Sequence, residues 1–200
     1  MLIHRGVAYQ STALPDGRRS IADILLPGDI IGAGNAVLGR CDHEIVAASM
    51  LGYRLLKADR MHELARDPRI CLRILALAAE ERWRIDRHLT AITRFDSRGR
   101  LASMILDVYY RLRRRELISR PAFNLPLTQE QIADHLGITM VHVSRTLRLM
   151  REQRLVLLDR QVVIILDLDE LRRTAAGIPT LDFVESAKAA QGARPVPTSG

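Results

Sequence analysis

The chain has 200 residues, 48% of them hydrophobic and 26% charged, which is enough to bury a real core in one large domain or two small ones. Its two cysteines, Cys41 and Cys71, form no CxxC, which argues against a zinc ribbon, a disulfide framework or a cysteine-ligated cluster. The net charge of +7 suits a polyanionic partner, and the lack of an 18-residue apolar run or a signal peptide predicts a cytoplasmic protein without membrane contact.

Basic residues exceed acidic ones by 14 to 11 over positions 1–94 and by 14 to 10 over 95–175, and they balance beyond. Lys57 and Lys188 are the only lysines, so 28 of the 30 basic residues are arginine. Residues 1–60 read as short strands and turns. Leu14-Pro15-Asp16-Gly17 separates Val7–Thr12 from Ile21–Leu26, and Pro27-Gly28-Asp29 suits a type II turn with Gly at its third position. Ile30-Ile31, Glu44–Ser49 and Tyr53–Lys57 supply more strand material, which points to an incomplete antiparallel barrel or sandwich.

A short helix is predicted over Asp59–Ala65, and Asp67-Pro68 opens a longer one running to about Arg94. On it Ile74, Ala78, Glu81, Ile85, His88 and Ile92 recur in alternating steps of four and three, a heptad-like seam widened by Leu77 and Leu89. Packing against its own domain is one reading; parallel pairing with a second copy is favoured, with Glu81 and His88 then needing partners or water. Phe95-Asp96-Ser97-Arg98-Gly99 breaks the pattern and marks a domain boundary, Asp96 or Ser97 capping the next helix. That helix, Leu101 to about Leu117, ends in Arg111, Arg113, Arg114 and Arg115, read as a solvated end favoured by the helix dipole. Pro121 and Pro126 bracket a loop.

Thr128 to Met150 carries the chemistry. Thr128 and Gln131 match a capping box, Ile132, Ala133 and Leu136 form a buried face, and Gly137 stops the helix. Thr139 caps a second helix anchored by Val143, Leu147 and Met150, whose opposite face carries Val141, Arg145 and Arg148 flanked by His142 and Ser144. A small residue at the crossing, a flexible turn and an apolar anchor make a helix-turn-helix, against an ordinary helical hairpin as the plainer reading. Leu155–Leu158 and Val162–Leu166 around Asp159-Arg160-Gln161 then read as a two-stranded wing, which a bare hairpin has no reason to carry. Asp167–Ala175 is a last short helix. The stretch 177–200 holds three prolines and no periodicity, predicting a stub around Leu181–Val184 and a largely disordered tail.

This order of parts, with Leu26-Pro27-Gly28-Asp29-Ile30-Ile31-Gly32 in the strand region, resembles the Crp/Fnr family of bacterial transcription regulators over roughly residues 5–185. The resemblance implies an α+β fold: a partial antiparallel β-roll over 1–66, a dimerisation helix over 67–94 and a winged helix-turn-helix domain over 95–176. It also implies a homodimer on a palindromic promoter site, with double-stranded DNA and, for an activator, RNA polymerase as partners. The chain begins partway into the usual β-roll. Cyclic-AMP-binding members place a Glu where Ala33 stands, an Arg-Ser pair where Asp42-His43-Glu44 stand, and a Thr-Ser pair where Ile85-Asp86 stand. Binding of cAMP is therefore not expected, and neither is an iron-sulfur cluster.

In the recognition helix Arg145 matches the family arginine that reads guanine, and Ser144 matches the oxygen-sensing subgroup. Val141 replaces a Glu that accepts from cytosine and can instead pack on a thymine methyl. Thr128, Gln129 and Thr139 match phosphate-contacting positions. Elsewhere, Cys41-Asp42-His43 reads as a turn with a free thiol, His62-Glu63 as surface and Trp83 as packing, and no nucleotide or catalytic motif occurs. The reading is a non-enzymatic DNA-binding regulator. Its rivals are an effector-independent repressor or architectural DNA binder, and an interaction module or enzyme that uses the winged helix as scaffold.

Overall fold

The computed structural model describes residues 1–32 and 43–175, apart from the side chains of Ala58 and His62. Ala33, Cys41, Asp42 and the tail with its Leu181–Val184 stub lie outside these residues. The order is β1 (Leu2–Arg5), β2 (Ala8–Ala13), β3 (Arg19–Leu25), β4 (Glu44–Ala47), β5 (Gly52–Arg54), α1 (Ala58–Leu64), α2 (Pro68–Arg94), α3 (Ser97–Arg114), β6 (Ala122–Asn124), α4 (Gln129–Leu136), α5 (Met140–Glu152), β7 (Val156–Asp159), β8 (Val162–Ile165) and α6 (Leu168–Thr174). This is the α+β arrangement expected.

Two small antiparallel sheets form the N-terminal half, one of β1 with β5 and one ordered β3-β2-β4. The β2–β3 hairpin turns at Leu14–Gly17, where the Gly17 N–H donates to the Leu14 carbonyl at 3.0 Å. A bulge between Gln10 and Ser11 leaves Ala22 without a partner in that ladder. Leu26-Pro27-Gly28-Asp29 closes as the sequence predicts: the Asp29 N–H donates to the Leu26 carbonyl at 3.0 Å, with Gly28 at φ +94°. Strand β1 is an addition to the sequence reading, since a four-residue run whose one fully buried residue is Ile3 gives almost no periodic signal.

One continuous core runs from Val7, Tyr9, Ile21, Ile24 and Leu26 of the sheet, through α3, into Ile132 of α4 and Val143 of α5. The break at residue 95 is therefore a turn in the chain and not a gap in the packing. Helix α3 starts with the Asp96 carboxylate accepting from the Gly99 N–H at 2.8 Å and stops at Arg114. It packs against α2, α4, α5 and α6, so it is buried on nearly every side and not along one stripe.

Two expectations change here. Of the arginines that end α3, only Arg113 is a solvated one. Arg111 is 3% exposed, pairs with Asp29 and Asp107, and donates to the Ile24 carbonyl at 2.9 Å. Arg115 reaches Asp29 at 2.6 Å and the Pro27 carbonyl at 2.7 Å, and Arg114 meets Glu80 at 2.7 Å. Apart from Asp107, the acceptors lie on β3, the turn after it and α2, far off in sequence, so spacing could not reveal them. The wing also has three strands, ordered β6-β8-β7. The stretch read as a loop between Pro121 and Pro126 pairs Phe123 with Val163, and Pro121 sits just outside the strand, where its missing N–H breaks no ladder bond.

The seam of α2 also changes phase. Its N-cap is Asp67 and Pro68 opens it, as predicted. Of the six seam residues, Glu81 and His88 turn toward the protein's own body: His88 stacks on His135 of α4 at 4.1 Å, and burial pushes the Glu81 carboxyl up. Ile74 is half-buried, whereas Ala78, Ile85 and Ile92 border the outward side. The outward stripe runs Leu75, Ala78, Arg82, Ile85, Leu89 and Ile92, again in steps of three and four, with Leu75 60%, Ile85 43% and Leu89 54% exposed. An amphipathic pattern fixes a helix's period, but the neighbouring domain decides which of two adjacent stripes faces in.

Candidate nucleic-acid interface

Local sequence builds the helix-turn-helix as its residues predict. Thr128 caps α4 reciprocally: its N–H donates to Gln131 Oε1 at 2.8 Å, and the Gln131 N–H donates to Thr128 Oγ1 at 3.1 Å. Gly137 ends α4 in the left-handed region at φ +63°, where a Cβ would strain. Thr139 then caps α5, accepting from the His142 N–H at 3.3 Å, with His142 Nδ1 2.8 Å from its hydroxyl oxygen. On the inner side of α5, Val143 and Met150 are fully buried and Leu147 is half-buried. Thr146 is buried beside them, its hydroxyl donating to the His142 carbonyl at 2.7 Å and lying 3.1 Å from Ser97 Oγ.

Every residue assigned to DNA from the sequence is exposed: Thr128 and Gln129 at the start of α4, Thr139 at the cap of α5, and Val141, His142, Ser144, Arg145 and Arg148 along it. Val141 is 53% exposed, a β-branched side chain held in solvent with nothing covering it among the described residues. Arg145 makes no hydrogen bond or ion pair with a described residue, which leaves its planar fork open. Arg148 differs, because it pairs with Glu152 at 2.8 Å. An exposed helical pair of this kind is weak, so a phosphate can displace it. The N–H groups at the starts of α4 and α5 add unsatisfied donors and positive dipole ends.

Two positions at this surface escaped the sequence reading. At the wing tip Arg160 and Gln161 both have positive φ, 46° and 68°, and both are exposed, so the turn thrusts an arginine beyond the sheet. The signal was present: a basic residue in a two-residue turn. Arg100 is the second. From α3 it donates to the Leu136 and Gly137 carbonyls at 3.1 and 3.4 Å, and to the Phe95 carbonyl at 2.9 Å. It thereby braces the helix-turn-helix turn against the hinge, and no local spacing could show that.

The sheet is fastened along α4, from its capping box to its last turn. Arg19 pairs with Asp134 at 2.6 Å, and Ile21 O lies 3.0 Å from His135 Nδ1. Tyr9 OH accepts from Gln131 Nε2 at 3.3 Å, which ties β2 to the capping box itself. Burial alone would raise the Asp29 carboxyl, yet the guanidinium groups of Arg111, Arg115 and Arg84 hold it below the usual carboxylate range.

A recognition helix with an open arginine, a capped partner helix and a three-stranded wing define a winged-helix DNA-binding protein. The comparisons narrow this. Residues 99–174 match the Crp-like helix-turn-helix domain. The nitrogen fixation regulation protein FixK of Azorhizobium caulinodans is 31% identical over 172 residues, spanning 84% of this chain and 68% of that one. The transcriptional activator protein FnrL of Cereibacter sphaeroides is 27% identical over 176 residues, spanning 85% and 70%. The solved structure of FixK2 from Bradyrhizobium japonicum superposes with a TM-score of 0.69 at 22% identity, covering 89% of this chain and 87% of that one. The chain belongs to the Crp/Fnr family of transcription regulators. It is a DNA-binding regulator of transcription. Among the described residues no helix is long and apolar enough to cross a membrane.

Proposed function

We propose that the protein works as a homodimer on a twofold-symmetric promoter site, placing its two α5 helices in successive major grooves about one helical turn apart. The outward stripe of α2 carries this reading. Leu75, Ile85 and Leu89 stand in solvent at heptad spacing, and a second copy packed in parallel buries all three. Arg82, in the middle of the stripe, pairs with Asp86 at 2.8 Å, so its charge reaches a partner inside its own helix. In this arrangement Arg145 reads guanine O6 and N7, while Val141 meets a thymine methyl and His142 and Ser144 flank them. Thr128, Gln129, Thr139, Arg148 and Arg160 hold phosphates and fix the register. The protein acts in the cytoplasm as a regulator and not as an enzyme, meeting RNA polymerase where it activates.

Sedimentation of the wild type and of Leu89→Glu, each with and without a duplex carrying a palindromic site chosen by selection from random sequence, tests the reading. A dimer mass for the wild type and a monomer mass with weakened palindrome binding for Leu89→Glu are expected. A monomeric wild type that binds half-sites independently would overturn it.

A second reading concerns the effector. The continuous core and the Arg111–Asp29 pair favour a sheet that props the DNA-binding helices and does not respond to a cyclic nucleotide. Ile85-Asp86 offers no hydroxyls to a purine, so we propose that cAMP is not a cofactor of this protein. DNA affinity that stays constant as cAMP is titrated is the expected result, and a saturable change refutes it.

A further inference from the structure

A cavity of about 40 Å³ lies between β3, α2, α3 and α4, and no residue of α5 lines it. Its polar walls are Arg84 and Arg87 of α2, Arg100 and Ser103 of α3, and the stacked rings of His88 and His135. The carboxylates of Asp23 and Asp107 complete them.

These polar groups are not all satisfied. The Ser103 hydroxyl is buried without a hydrogen-bond partner among the described residues, and it leaves unused even the carbonyl one turn back, which a helical serine can take. The Nε groups of Arg84 and Arg87 are buried and orphaned as well. Arg87 is the least supported: it makes no hydrogen bond with a described residue, stands 3.8 Å from Asp107, and lies 4.6 Å from the Trp83 ring centre. Both lining carboxylates are engaged by other arginines, Asp23 by Arg84 at 2.8 Å and Asp107 by Arg111 at 3.0 Å. Burial lowers the Arg87 guanidinium from its usual value, with Asp107 opposing only in part. It also lowers both imidazoles, so neither adds charge at neutral pH. Asp107 is thus shared by Arg111 at 3.0 Å and Arg87 at 3.8 Å, so the buried Arg87 has no carboxylate of its own. Isolated buried charge is strongly unfavourable unless something pairs it.

We propose that this cavity is a binding site for a small oxyanion of the formate, nitrite or nitrate class, held by Arg87 and Ser103. The volume takes roughly three water-sized groups, which suits a planar anion of a few heavy atoms and excludes a nucleotide. A guanidinium fork matches two oxygens of such an anion, and the serine hydroxyl supplies a further donor. The walls come from the sheet, the long helix and the winged domain, so an anion seated there joins all three. The proposal does not rest on the dimer reading.

Thermal unfolding and isothermal titration of the full chain with sodium formate and sodium nitrate test it, against sodium chloride at matched ionic strength. Saturable heat and a rise in Tm of about 3 °C or more beyond chloride are expected for the wild type. Both effects should be lost in Arg87→Gln and reduced in Ser103→Ala, with Arg87→Lys as the better-folding variant that keeps charge but not the fork. Equal responses to chloride, responses unchanged in the Ser103→Ala and Arg87→Lys variants, or no saturable heat because water alone fills the cavity would each overturn the assignment.

Discussion

Arg145 and Val141 sit four residues apart on one exposed face of α5, and in the proposed complex they divide the reading of DNA between them. Arg145 has no partner among the described residues to give up, so the free energy of binding guanine is not spent on breaking an internal pair. Arg145→Ala should therefore weaken specific binding by about 1–3 kcal/mol and leave non-specific binding nearly unchanged at fixed salt. A ratio of specific to non-specific affinity equal to that of the wild type would remove the arginine from base recognition. Val141→Glu should act differently: it exchanges a methyl contact for an acceptor and should move the preferred base from thymine toward cytosine, whose N4 amino group donates to the carboxylate, checked by selection from randomised half-sites. Both residues were legible in the sequence, because the helix period alone separates them from buried Val143 and Met150. Arg100 was not, since its acceptors lie on another element and depend on how α3 meets the turn.

At the scale of elements, helices and turns governed by neighbours in sequence were legible, and those governed by distant partners were not. The capping box of α4, the left-handed Gly137 and the type II turn at Gly28 each depend on residues within four positions. The phase of α2, the strand β6 and the burial of Arg111 depend on segments far away in sequence. The wing turn gives a prediction at this scale. Arg160 and Gln161 occupy left-handed conformations that suit Asn-Gly, and each non-glycine residue there carries strain. Gln161→Gly should raise stability by roughly 0.5–1 kcal/mol, because the Cβ penalty outweighs the added freedom of the unfolded chain. The Gln161 carbonyl still accepts from the Leu125 N–H at 2.7 Å, so the substitution keeps the contact that anchors the turn. Urea midpoints with an unchanged slope would measure it, and a lower midpoint would show that the turn is unstrained.

At the scale of the whole molecule, the sheet and the DNA-binding helices form one folding unit joined by buried charge. Removing the central partner of a buried network leaves its acids under-compensated, so Arg111→Met should destabilise the chain by about 3–5 kcal/mol by leaving Asp29 to Arg115 and Asp107 to Arg87 alone. The double variant Arg111→Met/Asp29→Leu should recover much of that loss, and equal midpoints for single and double variants would deny the pairing.

The stacked histidines give the same junction a pH dependence. Burial, then the neighbouring His135, pushes His88 down to about 4, against the attraction of Asp23 and Asp107. Burial also lowers His135, opposed by its bond to the Ile21 carbonyl. The folded state thus holds both rings neutral where the unfolded chain, with histidine near about 6.5, already binds protons. Their contribution is complete above about pH 6.5 and is lost as pH falls toward about 4, at up to about 1.4 kcal/mol per pH unit for each ring. Asp29 and Asp107, whose carboxyls are held low, lose their contribution only further down, below the usual carboxylate range. Unfolding free energy should therefore drop by roughly 2 kcal/mol between pH 6.5 and 5, a window that Asp29 and Asp107 leave untouched and that the raised Glu81 carboxyl opposes in part. Replacing His88 by Gln removes one of the two titrating rings, so the slope across that window should fall to about half. Urea titrations at pH 7.5, about 6 and about 5 measure both slopes, and a wild-type slope of zero would mean that the rings do not carry the junction.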